Sequence, residues 1–363
     1  GVARSNLAVT YVPTPDRGSD PITLEVQLFD ADGNPAPALL TRTLAPGEWY
    51  QWNGVLTKAG LPDGSYGWAR IRRVSGIGPF VTYGVVNDAL TSDGSILPMY
   101  RPGGVSAARK FVVPVVVDTL GEAGSHFTTE LTLANDGPIA TPVDLVYHPA
   151  PGFGSAGGSP LVTLNLAAWQ QTIIPDILQY LRDHGVSIAP STSGPQAGTL
   201  AITFRSLQSI DTPRTVAFAR TFTPNSDTAT GGTFGVAYPA FPFGGGAWTT
   251  ATVPGLVQSA AARSNLAVVH AGGGSGGPIA VSVALFDAAT GLPVGTTLVK
   301  TLYPGDWYQW SRVLEKAGVP PGTAAYAVVT RVSGDDTFLA YGVVNDAVTS
   351  DGSWVPMIPA EEY

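Results

Sequence analysis

With 363 residues, of which 44% are hydrophobic and only 13% charged, the chain is long enough for two or three domains and apolar enough to bury a large core. Its 44 Gly and 31 Pro make up about a fifth of the residues, a mixture that favours many short strands and turns and excludes a helical bundle. A net charge of -8 with no long run of Lys and Arg leaves no electrostatic footprint for nucleic acid or anionic lipid, and the absence of Cys excludes disulfides, thiolate metal sites and Cys nucleophiles together.

No apolar run approaches the roughly 20 residues of a membrane helix, and the first residues lack the basic-then-apolar pattern of a signal peptide. A start at Gly rather than Met is expected of a processed or trimmed chain, which is compatible with export. Four Lys against fifteen Arg are compatible with a GC-rich bacterial gene.

In chain order, the opening GVARSNLAV returns as AAARSNLAV, so that Ala3 to Val9 match Ala262 to Val268 letter for letter. PITLEVQLFDADG is answered by PIAVSVALFDAATG, APGEWYQWNGVLTKAG by YPGDWYQWSRVLEKAG, and YGVVNDALTSDG by YGVVNDAVTSDG, in the same order. The middle third follows this order in degenerate form, with FTTELTLAND, PVDLVYHPAPG, AAWQQTIIPDILQYLRDHG, GTLAITFRS and TVAFARTFTPNSD in sequence. Three copies of one unit are therefore expected, over 1–103, 104–243 and 244–363, with boundaries near Pro102 to Ala108 and Pro242 to Gly246.

Alternation of side chains predicts strands at Thr23 to Phe29, Thr128 to Leu133, Leu200 to Phe204, Val216 to Phe222 and Ala280 to Phe286. Trp169 to His184 carries an apolar stripe at helical spacing and stops at Gly185, which predicts a helix there. Shorter helices are expected around Val55 to Ala59 and Val313 to Ala317, closed by Gly60 and Gly318. The fold class is all-β: three tandem Ig-like β-sandwich units, each with a short crossover helix.

For chemistry the sequence is sparse. His126, His148, His184 and His270 lie in different elements without metal-ligand spacing, and no HExxH, GxSxG, P-loop or dinucleotide fingerprint is present. No catalytic residue, metal ligand or cofactor is therefore assigned. Asp30, Asp32 and Asn34 resemble the opening of a calcium loop, but the distal Glu is missing and the third copy reads DAATG, so turn chemistry accounts for them. Trp49, Tyr50 and Trp52 recur as Trp307, Tyr308 and Trp310, with Trp169 as the one aromatic kept in the middle copy. Exposed, these patches suit stacking on sugar rings or a protein partner; turned inward, they are core.

Repeats in this order resemble the Ig-like modules of bacterial secreted and cell-surface proteins, such as tandem stalks, adhesins and extracellular filaments. The resemblance implies an extracellular or cell-surface structural role without enzymatic activity, with self-association or another surface protein as partner. Neither nucleic-acid binding nor membrane insertion is expected. A carbohydrate-binding or adhesive module, or a noncatalytic part of a larger secreted enzyme, is the alternative. One asymmetry sharpens the first reading. Phe111 to Val117 precede the repeated motif in the middle copy and Thr252 to Gln258 in the last, whereas the first copy opens almost at the motif. Arg4, Ser5, Asn6, Leu7, Ala8 and Val9 are thus expected to mark an assembly edge completed by strand addition, with simple truncation as the rival.

Overall fold

In a computed structural model that describes residues 3–14, 20–99, 109–121, 125–153, 160–205, 215–225, 231–272, 276–347 and 351–360, the alternating segments are antiparallel strands and the fold is all-β. The first unit holds β1 (Ala3–Tyr11), β2 (Ile22–Asp30), β3 (Leu40–Leu44), β4 (Trp49–Trp52), α1 (Val55–Lys58), β5 (Gly67–Ser75), β6 (Phe80–Asp88) and β7 (Gly94–Pro98). These form a sheet in the order β4-β1-β6-β7 and a second in the order β3-β2-β5.

The middle unit holds β8 (Lys110–Leu120), β9 (His126–Asn135), β10 (Thr141–Pro149), β11 (Val162–Leu166), β12 (Gln171–Ile174), α2 (Ile177–Asp183), β13 (Gln196–Phe204), β14 (Thr215–Pro224), β15 (Thr233–Pro239) and β16 (Phe241–Pro242). The last holds β17 (Thr250–Val257), β18 (Ala262–His270), β19 (Ile279–Asp287), β20 (Pro293–Leu302), β21 (Trp307–Trp310), α3 (Val313–Lys316), β22 (Ala324–Ser333), β23 (Phe338–Asp346), β24 (Gly352–Pro356) and β25 (Ile358–Pro359). Its sheets, β21-β18-β23-β24 and β20-β19-β22-β17-β25, repeat those of the first unit with two strands added. In the middle unit β8 pairs with β13 along its length and with β9 at its far end, which joins both layers into one sheet. The boundary near Pro102 to Ala108 lies outside the described residues; the later crossing falls between Pro242, paired with β8, and Ala247, bridged to Phe338.

Burial follows the period of two. Ile22, Leu24, Val26 and Leu28 of β2 are buried, as are Ile279, Val281, Val283 and Leu285 of β19. Each such side chain contributes about 1.5–3 kcal/mol to a core between the two layers. The predicted helix over Trp169 to His184 is shorter in the structure: Gln171–Ile174 is a strand paired with β9, and Asp176 caps a helix that begins at Ile177. Pro175 lacks the N–H of a helix interior and the preceding Thr-Ile-Ile run is β-branched, so pairing with β9 prevails over the helical stripe. The short helices stand where expected, with Gly60 and Gly318 at φ 86° and 73°.

The repeated Asn residues explain how those helices are held. Asn6 Oδ1 accepts from Gly54 N–H at 3.0 Å, and Asn265 Oδ1 accepts from Arg312 N–H at 3.0 Å, so one strand of each outer unit satisfies the backbone where the helix starts. In the acidic turns, Asp30 accepts from the N–H groups of Asp32 and Asn34, and Asp287 from those of Ala289 and Thr290. Replacing Asn265 with Ala strands the Arg312 N–H and is expected to destabilise the protein by about 1–2 kcal/mol in chemical denaturation.

Candidate functional site

A strand covers one sheet edge in two units, and among the described residues none stands at that place in the first. In the last unit β17 lies against β22; in the middle unit β8 lies against β13. Both covering strands place a Val-Pro pair at a bulge, Val253-Pro254 opposite Ala327 and Val113-Pro114 opposite Leu200. The counterpart of β22 and β13 in the first unit, β5, pairs among the described residues with β2 alone.

The asymmetry reaches the core. Phe338 of β23 is buried in the core of the last unit, while Phe80 at the same register in β6 is half-exposed. Ala327 and Val329 of β22 are buried beneath β17, while Ala69 and Ile71 of β5 are half-exposed. A Cβ on Gly342 would lie 3.0 Å from Leu256 and 3.3 Å from Val253, both on β17; on Gly84 the nearest atoms belong to Leu97 and Asn6 of the unit itself.

What remains is a groove of about 1250 Å³. Its floor is the interior of the first unit, including Leu7, Leu28, Ala69, Ile71, Phe80 and Leu97. Its outer wall is the middle unit, where Thr132, Ala134, Val216, Phe218 and Phe222 face it along β9 and β14. Glu130 stands in this wall; burial raises its carboxyl above the ordinary range and the Arg220 charge opposes the rise. β1 is not an open edge, because it pairs with β4 on one side and β6 on the other. Arg4, Ser5, Asn6 and Leu7 line the groove, Ala8 and Val9 are buried, and the edge that lacks a second strand among the described residues lies across the sandwich on β5. The reason is topological: β17 precedes β18 in sequence but pairs with β22 in the other sheet, while β18 is already flanked by β21 and β23.

The aromatic segments divide by environment. Trp52 and Trp310 are core residues, with Tyr50 and Tyr308 edge-on to them at 4.9 Å and 5.0 Å. Arg42 stands 4.2 Å from the Tyr50 ring and Lys300 4.0 Å from that of Tyr308. Trp49 and Trp307 point outward and differ: Trp307 is 5% exposed against the middle unit, edge-on to Phe153 at 5.6 Å, whereas Trp49 is 52% exposed. Trp169 does not retain a WYQW position. The pairing register gives that place to Gln171, opposite Ala134, while Trp169 occupies the turn held by Gly47 and Gly305, with φ 63° against their 78° and 84°.

Trp169 instead joins units. Its carbonyl accepts from Trp68 Nε1 at 3.0 Å, its ring lies 4.9 Å from the Arg70 guanidinium, and a Cβ on Gly33 would fall 2.6 Å from the Trp169 Cβ, so only Gly admits this approach. Arg70 pairs with Asp136 of the middle unit. Thr233 N–H and Oγ1 donate to Asp88, and Arg220 bonds Asp93 and Ser95, tying the YGVVND and TSDG turns to β14 and β15. Nothing in the letters around Trp169 marked this role; its φ follows from the turn geometry of its repeat counterparts.

Comparison with known protein families finds no family model that matches the chain, and comparison with curated proteins finds no match.

Asp93 and Asp351 also meet. Burial and the neighbouring Asp93 carboxylate push the Asp351 carboxyl up to about 6, with Asp346 acting in the same direction. A pKa above the unfolded value means that the folded state favours protonated Asp351, and this contribution is lost as pH rises through about 6. Asp351→Asn is therefore expected to raise Tm relative to the parent at about pH 7.5, the difference shrinking toward about pH 4, as read by thermal melts across that range. The open groove sets a second expectation: Phe338→Ala costs about 3–5 kcal/mol in chemical denaturation and Phe80→Ala about half as much, because half-exposed Phe80 has less burial to lose.

Proposed function

We propose that this protein is a non-enzymatic structural subunit of the bacterial cell exterior, and that its first unit takes up an extended strand from a neighbouring subunit in building a filament. The observation that carries this reading is the groove beside β5, which stands where β8 and β17 complete the other two units. An uncovered sheet edge above an apolar interior favours strand addition, since main-chain hydrogen bonds supply affinity and alternate side chains supply specificity.

The chemistry of the incoming strand follows from β8. Its inward residues Phe111, Val113 and Val116 enter the core of the middle unit, and its outward residues Val112, Val115 and Val117 join a cluster with Val269, Leu339 and Tyr341 of the last unit. β8 is apolar on both faces because protein lies on both. The groove has the same surroundings, the first unit beneath and the middle unit above. β17 places Ala251, Val253 and Leu256 inward but has the half-exposed Thr250 and Thr252 on its other face. A β8-like segment therefore fits the groove better than a β17-like one.

A labelled peptide of Lys110–Leu120 added to the full chain is expected to bind saturably and raise Tm, and to bind more tightly than a peptide of Thr250–Val257. Ile71→Glu, which places a charge on the groove floor, is expected to abolish binding without changing the circular dichroism spectrum. Absence of binding by either peptide, or binding indifferent to Ile71→Glu, overturns the reading.

A further inference from the structure

The two junctions within the chain are one contact made twice. Trp68 of the first unit donates to the carbonyl of Trp169 in the middle unit at 3.0 Å; Thr199 of the middle unit donates to the carbonyl of Gly305 in the last at 2.8 Å. Trp68 and Thr199 occupy the same register position, opposite Phe29 on β2 and His148 on β10. Trp169 and Gly305 occupy the same left-handed turn. The edge strands repeat the relation, with β7 against β15 and β15 against β24. Each junction thus sets the outer face of one unit's sheet and its turn on the flank of the unit before it.

Both halves of this contact recur, unmatched, at opposite ends of the described structure. The last unit has the flank: Tyr326, at the register position of Trp68 and Thr199, stacks on Phe286 at 5.2 Å with 11° or less between planes in both this pair and its Phe29–Trp68 counterpart. Ile358, which pairs with Thr252 as Phe241 pairs with Val112 in the middle unit, is exposed. The first unit has the outer face. Trp49 donates from Nε1 to Tyr83 Oη at 3.3 Å, as Trp307 does to Tyr341 at 2.8 Å, and carries the Gly47 turn beside it. Yet Val81 is 42% and Ile96 62% exposed, where their counterparts Leu339 and Trp354 lie in or against the junction cluster.

We propose that the outer sheet face of the first unit, around Trp49, Val81 and Ile96, docks on the Phe286–Tyr326 flank of the last unit of a second copy, repeating the intrachain junction between subunits. The occupant is a second copy because the chain already contains both complementary surfaces in the arrangement that joins its own units. The contact is heterologous, and a heterologous contact that does not close extends into an open array. It uses the sheet's outer face rather than the groove, so it stands or falls separately from strand uptake.

Sedimentation velocity on the full chain is expected to reveal concentration-dependent association, weakened roughly thirtyfold by either Trp49→Arg or Tyr326→Arg, the size of losing an interface anchor. Both positions reach solvent, and unchanged thermal melts verify folding. Because each variant blocks a different half of the contact, an equimolar mixture of the two is expected to form dimers and nothing larger. Excess Lys110–Leu120 peptide is expected to leave this association intact. A monomeric parent up to about 0.1 mM, a mixture that forms no dimer, or association that the peptide abolishes while Trp49→Arg leaves it unchanged would overturn the docking; the last result would still leave strand uptake standing.

Discussion

The interior of a two-layer sandwich stays dry only when the sheet edge beside it is covered, and in this protein one strand position decides that for every unit. Where the position is filled, the residues below it reach full burial: Ala327, Val329 and Phe338 in the last unit, Leu200 and Phe204 in the middle one. Where no described strand fills it, Ala69, Ile71 and Phe80 remain partly wet although their sequence neighbourhood is almost the same. Local propensity forms β5 and β6 in either case. The covering strand adds the desolvation that turns a paired sheet into a sealed core.

The covering strand also creates the surface on which the next unit rests. In the middle unit its outward valines form part of the cluster that includes Trp307 and Tyr341 of the last unit. Core completion and unit stacking are therefore linked through the two faces of one segment. Polar groups fix the alignment of neighbouring units: the Trp68 and Thr199 hydrogen bonds to turn carbonyls, and the carboxylates of Asp88 and Asp93, which receive Thr233 and Arg220. Burial raises the Asp88 carboxyl, but hydrogen bonds from Thr91, Leu90 and Thr233 outweigh it and hold that carboxyl below the ordinary range.

Much of the fold was legible in the sequence because strand alternation, turn glycines and the repeated Asn-containing motif are local signals. Ile22–Asp30 and Ile279–Asp287 extend the predicted strands by one residue at each end, and the short helices at Val55 and Val313 stand where their closing glycines placed them. The asymmetry between the first repeat and the other two was legible too. Its location was not. Pairing between sheets is a long-range relation, and reading along the chain put the open edge at β1 when it belongs to β5. The same limit governs the tryptophans, since Trp49 and Trp307 sit in identical words and differ only in whether another unit lies over them. Trp169 misled in a further way: an aromatic letter suggested an aromatic role, whereas backbone geometry had placed it in a glycine's turn.

The two-faced character of β8 has a consequence for synthesis as well as for the finished molecule. A ribosome delivers β8 directly after the first unit, before β9 to β15 exist to form the layers it belongs to. On the strand-uptake reading proposed above, the first unit can then receive the extended apolar segment that follows it. On that reading, folding of the middle unit is a competition between a nearby early site and a correct later one, and the similarity that makes the repeats modular is what brings the two into rivalry.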